Sequence, residues 1–162
     1  MKIWNSAFLI TFILLTVCKG QKANNVPVKV EVKKVDDSNT LVRHGQPYYI
    51  KGAGGSSRLA ELSKRGGNSI RTWSTHRAQA VLDSAQKYNI TVMMGLNVGK
   101  ERHGFDYNDK KAVVKQLERL RIEVEKFKNH PALLAWGIGN ELNLRYTNKK
   151  VWDAVNDIAE MI

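Results

Sequence analysis

Residues 129–141 read Asn129-His130-Pro131-Ala132-Leu133-Leu134-Ala135-Trp136-Gly137-Ile138-Gly139-Asn140-Glu141. Pro131 ends the helix before it, because proline lacks the amide hydrogen that a helix interior requires. Ala132 to Ile138 is then an apolar strand, and it closes on Gly139-Asn140-Glu141. In parallel α/β folds, binding and catalytic residues stand at the carboxyl ends of strands. Glu141 is thus the sharpest candidate for chemistry.

Working outward, Val113, Leu117, Leu120, Val124 and Phe127 recur at alternating spacings of 4 and 3, an amphipathic helical stripe. A loop, 99–109, separates this helix from Ile90 to Val98, a nearly all-apolar run typical of a strand covered on both faces. Before it, Ala78, Val81, Leu82 and Ala85 share one face of a helix that Ser74 or Thr75 is placed to cap. Ser69 to Trp73 reads as a strand. Tyr48 to Lys51 reads as the first strand, running into Gly52-Ala53-Gly54-Gly55. Ser56 or Ser57 then caps a short helix bearing Leu59 and Leu62, stopped by Gly66-Gly67. Past Glu141, Asn148 caps a helix with Val151, Val155, Ile158 and Ile162 on one face.

Four βα units in succession argue for a parallel sheet with right-handed crossovers, either doubly wound or a barrel. A barrel needs eight units and about 250 residues. This sequence has 162 residues and stops inside its fourth helix, so a barrel would be represented by half. The expected fold class is α/β, a partial (β/α)8 TIM barrel of about four units. Upstream, Val28, Val30 and Val32 alternate with Lys29, Glu31 and Lys33, and turns fall at Asp36–Asn39 and His44-Gly45. With Tyr48–Ile50 as the return, this reads as a short β hairpin. The expected division is 1–20 leader, 21–46 linker and hairpin, and 47–162 half-barrel.

The leader has Lys2 followed by the apolar run Ala7 to Val17, with small Cys18 and Gly20 before Gln21. The run falls short of the ~20 residues needed to span a bilayer. Export is expected, secreted or periplasmic. A lipid anchor at Cys18 is the lesser alternative, because Val17 fits poorly before an acylated cysteine. Cys18 is the only cysteine, which excludes a disulfide framework and a thiolate metal site. The formal charge is +11, yet Lys110, Lys111, Lys115, Arg119 and Arg121 interleave with Glu118, Glu123 and Glu125. That is a solvated helix face, so nucleic acid is not an expected partner.

Strand ends select the candidate site without any comparison: Arg71 and Trp73, Asn97, then Trp136, Asn140 and Glu141. Shielding by Gly139, Asn140 and Trp136 would let Glu141 hold a proton, as a general acid must. The alternative is a solvated loop carboxylate paired with Arg145, and spacing weighs the two level. Arg71 has a structural salt bridge as its plainer reading. Trp73 and Trp136 are candidates for aromatic binding faces or for core positions. Glu101, Arg102, His103 and Asp106 crowd the third loop as a substrate rim or as solvated residues. His103 with Asp106 hints at a metal, but no third ligand has supporting spacing, and no metal or cofactor is expected.

The stretch 129–141 resembles the fourth-strand signature of glycoside hydrolase family 2 and, more broadly, of the clan A retaining glycosidases. Gly67-Asn68-Ser69-Ile70-Arg71 resembles the family's second-strand Asn-x-x-Arg pattern. The resemblance implies that Glu141 is the acid/base and that Asn140 bonds the sugar 2-hydroxyl. It implies that Arg71 sits near the nucleophile, that His76 lies near a site histidine, and that Trp73 and Trp136 offer sugar-stacking faces where they are not core. Asn97 is an expected polar contact to substrate. The family's nucleophile is borne on the seventh strand, beyond Ile162, so the chain as given is expected to be a fragment, inactive alone. The substrate class is carbohydrate, cleaved at β-glycosidic bonds. A rival expectation is a non-catalytic secreted carbohydrate-binding half-barrel, self-associating through open sheet edges.

Overall fold

The computed structural model describes residues 27–162. The leader and Cys18 lie outside the described residues. Val30–Val35 (β1), Ser38–Arg43 (β2) and Gln46–Pro47 (β3) form an antiparallel meander in that order. The expected short hairpin, with its two turns, is a three-stranded sheet. Asp36 and Asp37 turn the chain with φ of 47° and 62°, and His44-Gly45 turns it again at 54° and 75°. Each turn consumes only two residues, so the return from the second begins at Gln46 rather than Tyr48.

The second sheet holds Gly52–Gly54 (β4), Ser69–Arg71 (β5), Thr91–Leu96 (β6) and Leu133–Ile138 (β7), all parallel and in sequential order. Leu59–Lys64 (α1), Ala78–Lys87 (α2) and Lys110–Phe127 (α3) connect them, and Lys150–Met161 (α4) follows β7. A doubly wound sheet reverses its strand order at a switch point. This sheet does not, and its order is that of a barrel wall.

The first core strand lies in the glycine run itself, not at Tyr48–Lys51. A Cβ at Gly52 would come within 3.1 Å of the Ser69 carbonyl oxygen, so close pairing with β5 favours glycine there. No serine caps α1, which starts after a left-handed Arg58. Nor do Ser74 or Thr75 cap α2, which starts after a left-handed Arg77. The Thr75 hydroxyl instead donates to Glu123 of α3 at 2.8 Å, and Ser74 Oγ accepts from the His76 amide. Asp109 caps α3 by accepting from the Lys111 and Ala112 amides. Asn148 Oδ1 accepts from the Lys150 amide at 3.1 Å, at the start of α4. Ile162, expected on the buried face of α4, follows the helix and is exposed.

Two apolar clusters hold the helices to the sheet. Leu82 and Ala85 of α2 pack on Ile70, Val92, Met94 and Leu133, while Leu120, Val124, Val151 and Ile158 pack around Leu96 and Val98. A one-residue irregularity at Leu134 shifts the β6–β7 register, which pairs Val92 with Leu133 but Met94 with Trp136. The extra residue keeps both Leu133 and Trp136 on the helix-covered face. His130 explains part of the Asn-His-Pro stretch. Its Nδ1 accepts from the Ala132 amide at 3.2 Å, so Nε2 carries the hydrogen toward Asp83 at 3.1 Å. The buried imidazole thus ties α2 to the entrance of β7. The meander packs at the opposite rim from Glu141: Arg43 donates to the Pro131 carbonyl and Tyr48 to that of Asn68.

Candidate active site

The carboxyl ends of β5, β6 and β7 bring together residues far apart in sequence. Arg71 ends β5, and its Nη2 donates to Asn140 Oδ1, just past β7, at 3.1 Å. Glu141 follows directly, with φ of 53°, a left-handed conformation uncommon for a residue with a side chain. Gly139, also left-handed at 72°, initiates this turn out of the strand.

The shielding expected around Glu141 is not supplied by the described residues, since its side chain is 58% exposed. Nor is Arg145 its partner. An i,i+4 pair needs a helix, and residues 142–145 form a turn. The partner is Arg102, in the 3₁₀ turn Glu101–His103 that follows β6. Arg102 Nη1 donates to the Glu141 carbonyl, and Nη2 lies 3.3 Å from Oε2 of the same residue. The neighbouring Glu101 accepts from the Thr147 amide at 2.8 Å, the Thr147 hydroxyl at 2.5 Å and the Asn148 amide at 3.1 Å. The Thr147 hydroxyl, then the Asn148 and Thr147 amides, hold the Glu101 carboxyl below its ordinary range.

Trp73 stands on the open face of the sheet, 51% exposed. Its ring lies against Gly54, where a Cβ would meet Cη2 at 3.0 Å. Its backbone crosses Gly95, where a Cβ would fall 2.5 Å from the Trp73 carbonyl carbon. Gly95 pairs with Gly137, so neither strand puts a side chain at that register of the open face. Trp136 is different: it is partly buried and packs against both apolar clusters on the helix side.

Asn97 is exposed beyond β6, where its carbonyl accepts from Arg119 at 2.7 Å, and it lines a groove with Phe105 and Gln116. His76 is exposed and lines a separate groove with Ser56 and Arg77. No hydrogen bond or ion pair joins either to Glu141 among the described residues. No group of three or more His, Cys, Asp or Glu among them could hold a metal ion, and no described helix is long and apolar enough to cross a membrane. Sequence reading placed Arg102 only in a crowded loop. Its grip on Glu141 spans 39 residues and leaves no local pattern.

Comparison with known proteins agrees with this architecture. Residues 59–160 match the family model described as glycosyl hydrolases family 2, TIM barrel domain. No curated protein matches. Among solved structures, the chain is similar to β-glucuronidase from Ruminococcus gnavus, at 16% identity and TM-score 0.63, over 83% of this chain and 25% of that one. It is similar to Bifidobacterium dentium β-glucuronidase, at 20% identity and TM-score 0.64, over 83% and 24%. It is also similar to Faecalibacterium prausnitzii β-glucuronidase, at 19% and 0.62, over 83% and 25%. At such identities the likeness is one of fold. The chain spans about a quarter of the length of these structures.

Proposed function

Because the chain belongs to glycosyl hydrolase family 2 through its TIM-barrel domain, we propose that it carries the acid/base half of an exported retaining β-glycosidase. One observation carries this reading: the 3.1 Å bond from Arg71 to Asn140, which gathers two strand ends beside Glu141. With Asn140 Oδ1 held by a cation, the amide NH2 is left to donate, the polarity needed to bind a sugar 2-hydroxyl. That contact strengthens as the sugar gains oxocarbenium character.

Glu141 gives its proton to the glycosidic oxygen as the C–O bond breaks. It then takes a proton from the water that attacks the glycosyl-enzyme. The nucleophile is a second carboxylate about 5–5.5 Å away, expected from the family's seventh strand and kept ionised by Arg71. Exposed Trp73 offers an aromatic face to a sugar ring. The substrates are β-linked oligo- or polysaccharides, and the leader sequence supports export. A second reading, a non-catalytic carbohydrate-binding half-barrel, is favoured by one fact: among the described residues, Glu141 is the one carboxyl directly beyond a strand of the parallel sheet.

The test is Glu141→Ala assayed with aryl β-glycosides, in the shortest polypeptide containing these residues that hydrolyses one. Azide needs no general base, so it should restore turnover about 10- to 100-fold, consistent with a base contribution of about 10²–10⁴. The product should be the β-glycosyl azide. Rescue with the α-azide, or no rescue alongside wild-type activity, contradicts the assignment.

A further inference from the structure

Glu101 and Arg102 are neighbours on one short turn, yet they hold opposite ends of the same loop. Arg102 holds Glu141 at the start of the β7–α4 connection, through both the backbone carbonyl and the carboxylate. Glu101 holds Thr147 and Asn148 at its end, through three hydrogen bonds. The Arg102 side chain is 15% exposed, so the guanidinium is largely shielded while the carboxylate it holds stays open to water. The turn is itself anchored. The Gly99 amide donates to buried Gln116 of α3 at 2.6 Å, and the Tyr107 hydroxyl donates to the Gly99 carbonyl at 2.5 Å.

We propose that the Glu101-Arg102 turn is a two-point clamp that aims Glu141, with Arg102 as its positioning residue. A carbonyl and a carboxylate held by one planar guanidinium fix the backbone and side chain of Glu141 together. The clamp thereby restrains a left-handed residue whose side chain is more than half exposed. Lysine presents a point charge and cannot span both oxygens in that plane. The aiming role rests on the acid/base reading of Glu141; the clamp itself does not.

The decisive experiment is nuclear magnetic resonance on the 162-residue chain, comparing wild type with Arg102→Ala, Arg102→Lys and Glu101→Gln. Side-chain three-bond couplings should report one χ1 rotamer for Glu141 in wild type. Arg102→Ala should give rotamer averaging, Arg102→Lys an intermediate value, and Glu101→Gln faster amide exchange confined to residues 146–149. Thermal midpoints within about 4 °C of wild type exclude general loosening. A single Glu141 rotamer retained in Arg102→Ala overturns the clamp. In an active polypeptide, Arg102→Ala should lower kcat on alkyl glycosides at least 10-fold more than on 4-nitrophenyl glycosides, with KM nearly unchanged. Equal losses on both overturn the aiming role. If no longer polypeptide that contains these residues hydrolyses any β-glycoside, the glycosidase reading fails instead, while the couplings still decide the clamp.

Discussion

Glycine 95 shows how a single residue can set the shape of the open face. It pairs with Gly137 across the β6–β7 seam, and the chain at Thr72-Trp73 runs directly over it. A methyl group there meets backbone, which cannot swing aside as a side chain can. Gly95→Ala should therefore destabilise by about 1–3 kcal/mol, the usual cost of overpacking, and should displace the Trp73 indole. Denaturant unfolding with tryptophan fluorescence measures both effects. Unchanged stability and an unchanged spectrum would mean that the close crossing does not exist in solution. Glu141 illustrates the converse at the same scale. Its position at a strand end was legible from Asn140-Glu141 after an apolar run, but its surroundings were not. Exposure and the Arg102 ion pair depend on a loop 39 residues away.

At the level of elements, what periodicity reveals and what it hides can be separated. The α3 stripe was readable because Leu120, Val124 and Phe127 must all face the sheet, and they are buried there. Helix starts were less so. Serines near α1 and α2 suggested caps, but Thr75 and Ser74 found other partners, and left-handed arginines precede both helices. The first barrel strand escaped pattern reading because Gly52–Gly54 offers almost no side chains to alternate. The shift at Leu134 was hidden for a similar reason, since an apolar run gives no sign of which residue is extra. The loop between β7 and α4 carries a pH prediction. The Glu101 carboxyl titrates below its ordinary 4.5, so the unfolded chain binds its proton more readily than the folded one. Its stabilising contribution is thus present above the unfolded value and is lost as pH falls through the lower folded value. Wild type should exceed Glu101→Gln in stability above about pH 5, and the gap should close on further acidification. A gap that widens toward acid would contradict this linkage.

For the whole molecule, the sequential order β4-β5-β6-β7 places every strand end on one rim, and the meander on the other. That separation is why Arg71 and Arg102 converge on the adjacent pair Asn140-Glu141 although they lie 69 and 39 residues from their partners in the chain. Fold class and the Arg71–Asn140–Glu141 grouping were readable because strand ends in such sheets share an edge. The packing of Trp136 depends on the β6–β7 register, and the surroundings of Asn97 and His76 on grooves lined from several elements, none of which a local pattern displays. The central claim is that Glu141 donates the proton to the departing oxygen. The most direct measurement compares Glu141→Gln with wild type on a series of β-glycosides of graded leaving-group acidity, in an active polypeptide containing these residues. The rate of glycosylation should collapse by about 10²–10⁴ for alkyl leaving groups, the span general acid catalysis supplies, and fall far less for dinitrophenyl ones. An equal loss across the series would remove Glu141 from the acid role.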